Sequence, residues 1–220
     1  PFLKELLDAA EAHNNSLPSM RYFICGGASV PPQIIYRTSE ILENCRAFRV
    51  YGSTEAPIIT LGWSEAAQLK LAAETDGKIF NYNVRILNDN GDDITGMRVE
   101  GEIAASGSGM MLGYKSQNQN DAAYSDGYFM TGDIGLLTSE NALVITDRKK
   151  DIIIRGGENI SAKEVEDLLH NHPSIREAAV VSRPHPRLGE GVYAYLLIQP
   201  NTPPPSLNDI KEFCETIKIA

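Results

Sequence analysis

Apolar positions recur at helical spacing over residues 2–14, predicting an amphipathic first helix, and a short apolar strand follows at 21–25. A Gly-Gly turn then leads to a second helix at 32–42. Pro31-Pro32 suits its entry, because proline fixes φ and lacks the N–H that a first turn leaves unpaired. A strand at 46–51 closes this helix–strand–helix–strand alternation, which implies a parallel sheet. From 75 to 146 the pattern changes to short strands at 83–87, 100–105 and 143–146, separated by polar turns such as NDNGDD. Beyond Lys150 an apolar run at 152–154 precedes a helix from Ala162. Ser161 and Glu164 have capping-box spacing there, and Val165, Leu168 and Leu169 supply the buried face. Strands at 175–183 and 191–199, a TPPPS loop and a helix from Leu207 complete the chain. The predicted fold is thus α/β and α+β. Residues 1–74 form an α/β portion and 75–149 a β-rich subdomain, and 150–220 form a small α+β domain.

Composition narrows the possible functions. With 42% hydrophobic and 22% charged residues over 220 positions, the chain can bury the core of one or two globular domains. A formal charge of -9 argues against nucleic acid and anionic membranes, so an anionic ligand must be met by local groups. Cys25, Cys45 and Cys214 have no metal-ligand spacing and are odd in number, which makes reduced thiols and a cytoplasmic location the expectation. His13, His170, His172 and His185 show no metal-ligand spacing either. No apolar stretch approaches the roughly 20 residues that span a bilayer, and no signal peptide opens the chain.

The densest chemistry lies between 131 and 166, TGDIGLLTSENALVITDRKKDIIIRGGENISAKEVE. Asp133 reads as part of a glycine-flanked turn after an aromatic strand, the kind of position that presents a side chain to a ligand. The charged DRKKD cluster follows, and then Gly156-Gly157, where the backbone must bend or admit something close. Upstream, YGSTEAP at 51–57 follows a strand. It would place backbone donors, two hydroxyls and a carboxylate at the carboxyl edge of the sheet, where α/β proteins bind ligands. CGGA at 25–28 precedes it.

These four stretches, in this order, resemble the adenylate-forming superfamily, which includes acyl-CoA and aryl-CoA synthetases, luciferases and peptide-synthetase adenylation domains. The wording of GYFMTGDIG and IIIRGGENISAKEVE is closer to the acyl-CoA synthetases. The resemblance implies ATP, Mg²⁺ and coenzyme A as cofactors and a carboxylic acid as substrate, with a small apolar or aromatic acid preferred. It also implies that 1–149 is the end of a large AMP-binding domain and that 150–220 is part of a small mobile one. In this reading Tyr51 stacks on adenine within the Tyr51-Gly52-Ser53 turn, Thr54 bonds the α-phosphate and Glu55 helps hold the metal. Gly26, Gly27 and Ala28 lie near adenine or the acyl group, and Asp133 accepts from the ribose hydroxyls. Arg148 makes a second ribose or phosphate contact, Lys150 is the hinge, and Gly156 and Gly157 line the pantetheine path. The family's Ser/Thr/Gly-rich phosphate loop and its late lysine are not found in the 220 residues, so a fragment, nearly inactive alone, is expected. Two alternatives accompany this reading. One is an adenylating enzyme that loads a carrier protein, and the other is a non-catalytic nucleotide- or partner-binding module; a homo-oligomer is open to each reading.

Overall fold

The computed structural model describes residues 2–218; Pro1, Ile219 and Ala220 lie outside them. The chain divides into two units between Ile145 and Thr146, inside the strand that precedes DRKKD.

The first unit opens with α1 (Phe2–Ala12), which buries Leu3, Leu7 and Ala10. It stops short of the predicted end because Asn14 takes a left-handed φ of 48°, a conformation asparagine tolerates. Strand β1 (Tyr22–Cys25), helix α2 (Pro32–Ile41) and strand β2 (Arg46–Arg49) follow. The two strands pair in parallel, Tyr22 with Arg46 through Cys25 with Arg49. Leu7, Ile35, Leu42 and Cys45 are fully buried in the core beneath them. Strand β3 (Thr60–Leu61) pairs antiparallel with β4 (Lys78–Ile79), and helix α3 (Leu69–Glu74) lies between them in sequence.

The β-rich part comprises β5 (Asn83–Leu87), β6 (Gly101–Ser106), α4 (Gln117–Ala123), β7 (Tyr124–Ser125), β8 (Tyr128–Leu137) and β9 (Leu143–Arg148). Strand β6 sits between β5 and β8, and β7 and β9 both pair with β8. Ile86, Ile103 and Leu143 are fully buried against this sheet.

Asp133 does not lie in a turn. It is inside β8, where the register with β6 runs from Glu102↔Ile134 to Ala104↔Met130. Three residues, Thr131 to Asp133, therefore face one, Ile103. This bulge absorbs the positive φ of Gly132, 74°, without ending the strand.

The second unit contains β10 (Ile153–Arg155), β11 (Glu158–Ile160), α5 (Ala162–His170), β12 (Ile175–His185), β13 (Gly189–Ile198) and α6 (Leu207–Lys218). The sheet order is β11-β10-β13-β12, all antiparallel, with Ile153, Leu169 and Ile175 in the core. Ser161 caps α5 as its spacing predicts, its Oγ accepting the Glu164 N–H at 2.9 Å. Gly156 and Gly157, with φ of 64° and 92°, form the tip of the β10–β11 hairpin, a turn that needs two positive φ values.

Candidate active site

The parallel register of β1 and β2 continues past the strand ends, since Val50 N–H donates to the Cys25 carbonyl at 2.8 Å. CGGA therefore runs beside the chain that enters YGSTE. Gly26 is required there, because a Cβ would sit 2.9 Å from Val50 Cγ2 and 3.0 Å from the Val50 carbonyl oxygen. Gly26, Gly27 and Ala28 are exposed at this edge. Cys25 is buried, and burial, only partly opposed by Arg49, pushes its thiol up in pKa.

Tyr51 is held at both ends. Its N–H donates to Thr60 Oγ1 at 2.9 Å and its carbonyl accepts the Thr60 N–H at 3.0 Å. Its hydroxyl donates to Asp133 Oδ2 at 2.7 Å, so two residues 82 positions apart share one bond. Asp133 is only 8% exposed and is oriented locally as well. Its N–H donates to Thr131 Oγ1 at 3.1 Å, and that hydroxyl donates to the Ile103 carbonyl at 2.8 Å. A ring fixed at backbone and hydroxyl presents a defined face at little entropic cost on binding.

The turn after Tyr51 closes on itself. Ser53 N–H donates to the Ala56 carbonyl at 3.1 Å, and Ala56 N–H donates to Ser53 Oγ at 3.2 Å. A Cβ at Gly52 would fall 2.5 Å from the Ile58 nitrogen. Thr54 is exposed within this turn. Glu55 accepts the Tyr114 hydroxyl on Oε1 at 2.8 Å, and its main-chain carbonyl accepts the Met111 N–H at 2.8 Å. The Tyr114 bond, helped by Glu55's own N–H and Ser53 against some burial, holds the Glu55 carboxyl below its usual pKa, and the same bond raises Tyr114. The charged form of Glu55 is thus favoured, a hard oxygen donor of the kind that oxygen-seeking cations take. Among the described residues no three His, Cys, Asp or Glu side chains gather into a metal cage. A single carboxylate fits magnesium that takes its remaining ligands from phosphates and water.

The other predicted residues belong to the second unit. Arg148 ends β9 exposed, with its N–H on Asp147 Oδ1 at 2.6 Å. Lys150 is exposed in the following turn, where Asp151 N–H reaches the Arg148 carbonyl at 2.9 Å. Gly156 and Gly157 are exposed at the hairpin tip, and Gly156 N–H donates to the Leu188 carbonyl at 2.8 Å.

The sequence reading missed Thr60, Tyr114 and Asn120. The only signal for Tyr114 is its place after Gly113 in MMLGY, 59 residues from its partner. A cavity of about 130 Å³ lined by Cys45, Arg46, Ala47 and Trp63 lies at the amino end of β2, the end away from YGSTE, and contains none of the predicted site residues. Among the described residues no helix is long and apolar enough to cross a membrane.

Known proteins resemble the chain in sequence and in fold. Residues 1–115 match the model of the AMP-binding enzyme family, and residues 164–219 match its AMP-binding enzyme C-terminal domain. A medium-chain fatty-acid–CoA ligase of Escherichia coli (strain K12) is 32% identical over 100% of this chain and 39% of its own length. The o-succinylbenzoate CoA synthetase of Bacillus subtilis, solved with an acyl-adenylate intermediate, is 29% identical with a TM-score of 0.81, covering 96% of this chain and 43% of its own. The amide bond synthetase McbA of Marinactinospora thermotolerans is 28% identical with a TM-score of 0.84, over 97% and 43%. The chain spans about two-fifths of the length of the curated relatives it matches. On its ordered motifs, its fold and these matches, the chain belongs to the AMP-binding, adenylate-forming enzyme family.

Proposed function

We propose that these residues serve an ATP-dependent, AMP-forming ligase that joins a carboxylic acid to coenzyme A. The observation that carries the reading is the 2.7 Å bond from Tyr51 to Asp133, which ties an aromatic face after β2 to a carboxylate inside β8. An aromatic face contributes about 1 to 3 kcal/mol per stacked base where this has been tested. A carboxylate takes the vicinal ribose hydroxyls in a way no neutral side chain matches. In this reading Tyr51 meets adenine, Asp133 meets ribose, and Gly26, Gly27 and Ala28 border adenine and the acyl group. Thr54 and the Gly52-Ser53 backbone meet the α-phosphate, and Glu55 faces the metal–phosphate group. Magnesium, when bound, neutralises charge on the phosphates.

The reaction has two steps. A carboxylate oxygen attacks the α-phosphorus of ATP, the bond to the bridging oxygen breaks, and pyrophosphate leaves. The sulfur of coenzyme A then attacks the acyl carbon, the bond to the AMP oxygen breaks, and the thiol proton passes to water. The protein's task is positioning and charge stabilisation, and the rigid turn, the tethered ring and the bulge-fixed Asp133 serve it. Arg148, whose planar fork offers several donors at once, supplies a further ribose or phosphate contact. Exposed Lys150, in the turn after β9, is the hinge about which the small domain rotates, and Gly156 and Gly157 admit the pantetheine arm. The three free thiols favour a reducing, cytoplasmic setting.

The natural polypeptide carrying these residues should support ATP–pyrophosphate exchange with one or more carboxylates from a panel of aliphatic and aromatic acids. Asp133→Ala should lower that exchange about 100-fold or more. Thioester formation should require coenzyme A while exchange does not. ATP binding without exchange on any acid would refute the reading.

A further inference from the structure

Glu55 is oriented by a segment that no motif of the sequence singled out. Residues 111–120 clip the YGSTE turn at two points. Met111 N–H holds the Glu55 main chain at 2.8 Å, and the Tyr114 hydroxyl holds Oε1 of its side chain at 2.8 Å. Tyr114 is itself clamped on both sides of its Cα. Its N–H donates to Asn120 Oδ1 at 2.6 Å, and Asn120 Nδ2 donates back to the Tyr114 carbonyl at 3.0 Å. Asn120 is anchored in α4, its own N–H on the Ser116 carbonyl at 3.2 Å. Gly113 leaves room for that amide, for a Cβ there would stand 3.1 Å from Asn120 Oδ1, and its φ of 133° favours glycine. The Tyr114 ring packs against the cluster of Ala56, Ile59, Ala105 and Phe129, so the hydroxyl is delivered from a fixed body.

We propose that Tyr114, clamped by Asn120, is a positioning residue that fixes the Glu55 carboxylate for the magnesium–phosphate group of the nucleotide. The inference rests on the assignment of Glu55 made above. A flexible glutamate on an exposed turn loses rotamer freedom each time it meets a metal, and a phenol donor on one oxygen removes that cost in advance.

The test measures binding of ATP to the natural polypeptide by calorimetry, once with magnesium and once with chelator. Tyr114→Phe deletes the hydroxyl and keeps the ring. It should weaken magnesium–ATP binding about tenfold, the loss of roughly one hydrogen bond to a charged group. Metal-free ATP binding should stay as in the parent. In the exchange assay the half-saturating magnesium concentration should rise in parallel. Asn120→Ala should act in the same direction with smaller size, and it keeps the idea testable if the first variant folds poorly. Glu55→Gln is the control. If Glu55→Gln leaves magnesium-dependent binding intact, the assignment of Glu55 itself is wrong. If Glu55→Gln weakens it and the Tyr114 and Asn120 variants do not, the positioning role is wrong. Equal losses with and without magnesium would assign Tyr114 to packing alone and overturn the proposal.

Discussion

The Tyr51–Asp133 bond can be weighed by a double-mutant cycle in the 220-residue chain. Tyr51→Phe keeps the ring but removes the donor 2.7 Å from Asp133 Oδ2, leaving a carboxylate that is 8% exposed short of one partner. Hydrogen bonds to charged groups contribute about 1.5 to 3 kcal/mol, so a loss near 2 kcal/mol is expected. Asp133→Ala removes the same bond from the other side, along with the carboxylate's contact with its own strand. The double variant should therefore lose about 1.5 kcal/mol less than the sum of the singles, which is well above the roughly 0.3 to 0.5 kcal/mol at which independent sites add. Trp63, the one tryptophan of the chain, packs against the first unit's core and reports its unfolding by fluorescence in urea. With an m-value of about 2 kcal/mol/M, the Tyr51→Phe midpoint should fall by roughly 1 M. A coupling below about 0.5 kcal/mol would refute the claim that this bond fixes the ring and the carboxylate together.

Two further outcomes follow from local geometry. Ser161→Ala removes the acceptor of the Glu164 N–H and should destabilise the second unit by about 1 kcal/mol, with loss of hydrogen-exchange protection at the first turn of α5; unchanged protection there would contradict the cap. Because the Glu55 pKa is depressed in the folded state, chiefly by the Tyr114 hydroxyl, its contribution is present above the unfolded value and is lost as pH falls through the folded one. The stability gap between the parent and Tyr114→Phe should thus be full near neutrality and shrink on acidification below about pH 4.5, the ordinary glutamate value; a gap that widens toward acid would reverse the sign.

Elements with a strong local cause were legible in the sequence. The Pro31-Pro32 entry to α2, the Ser161 cap of α5 and the parallel pair implied by strand–helix–strand all depend on residues within a few positions of one another. The misses share a different cause. Gly132-Asp133 has turn composition, yet pairing with β6 keeps it in the sheet and a bulge takes up the positive φ. Gly156-Gly157 suggested a bend without a partner strand, because Glu158–Ile160 is too short to show alternation. Helix α4, QNQNDAA, has no apolar stripe at all.

That polar helix shows why the site was only partly readable. Its link to the YGSTE turn comes from what Asn120 reaches, the two main-chain groups of Tyr114, and neither contact leaves a periodic trace. The motifs identify groups that can touch a ligand, because such groups need a particular chemistry at a particular place. The residues that hold those groups still need only to arrive from somewhere in the fold with a donor at the right height. Tyr114 reaches Glu55 across 59 positions, and Tyr51 reaches Asp133 across 82. Both members of the second pair stood out in the sequence as candidates for ligand chemistry, although nothing there showed that they meet. Tyr114 did not, since a tyrosine after a glycine in an apolar run reads as core until the chain is folded.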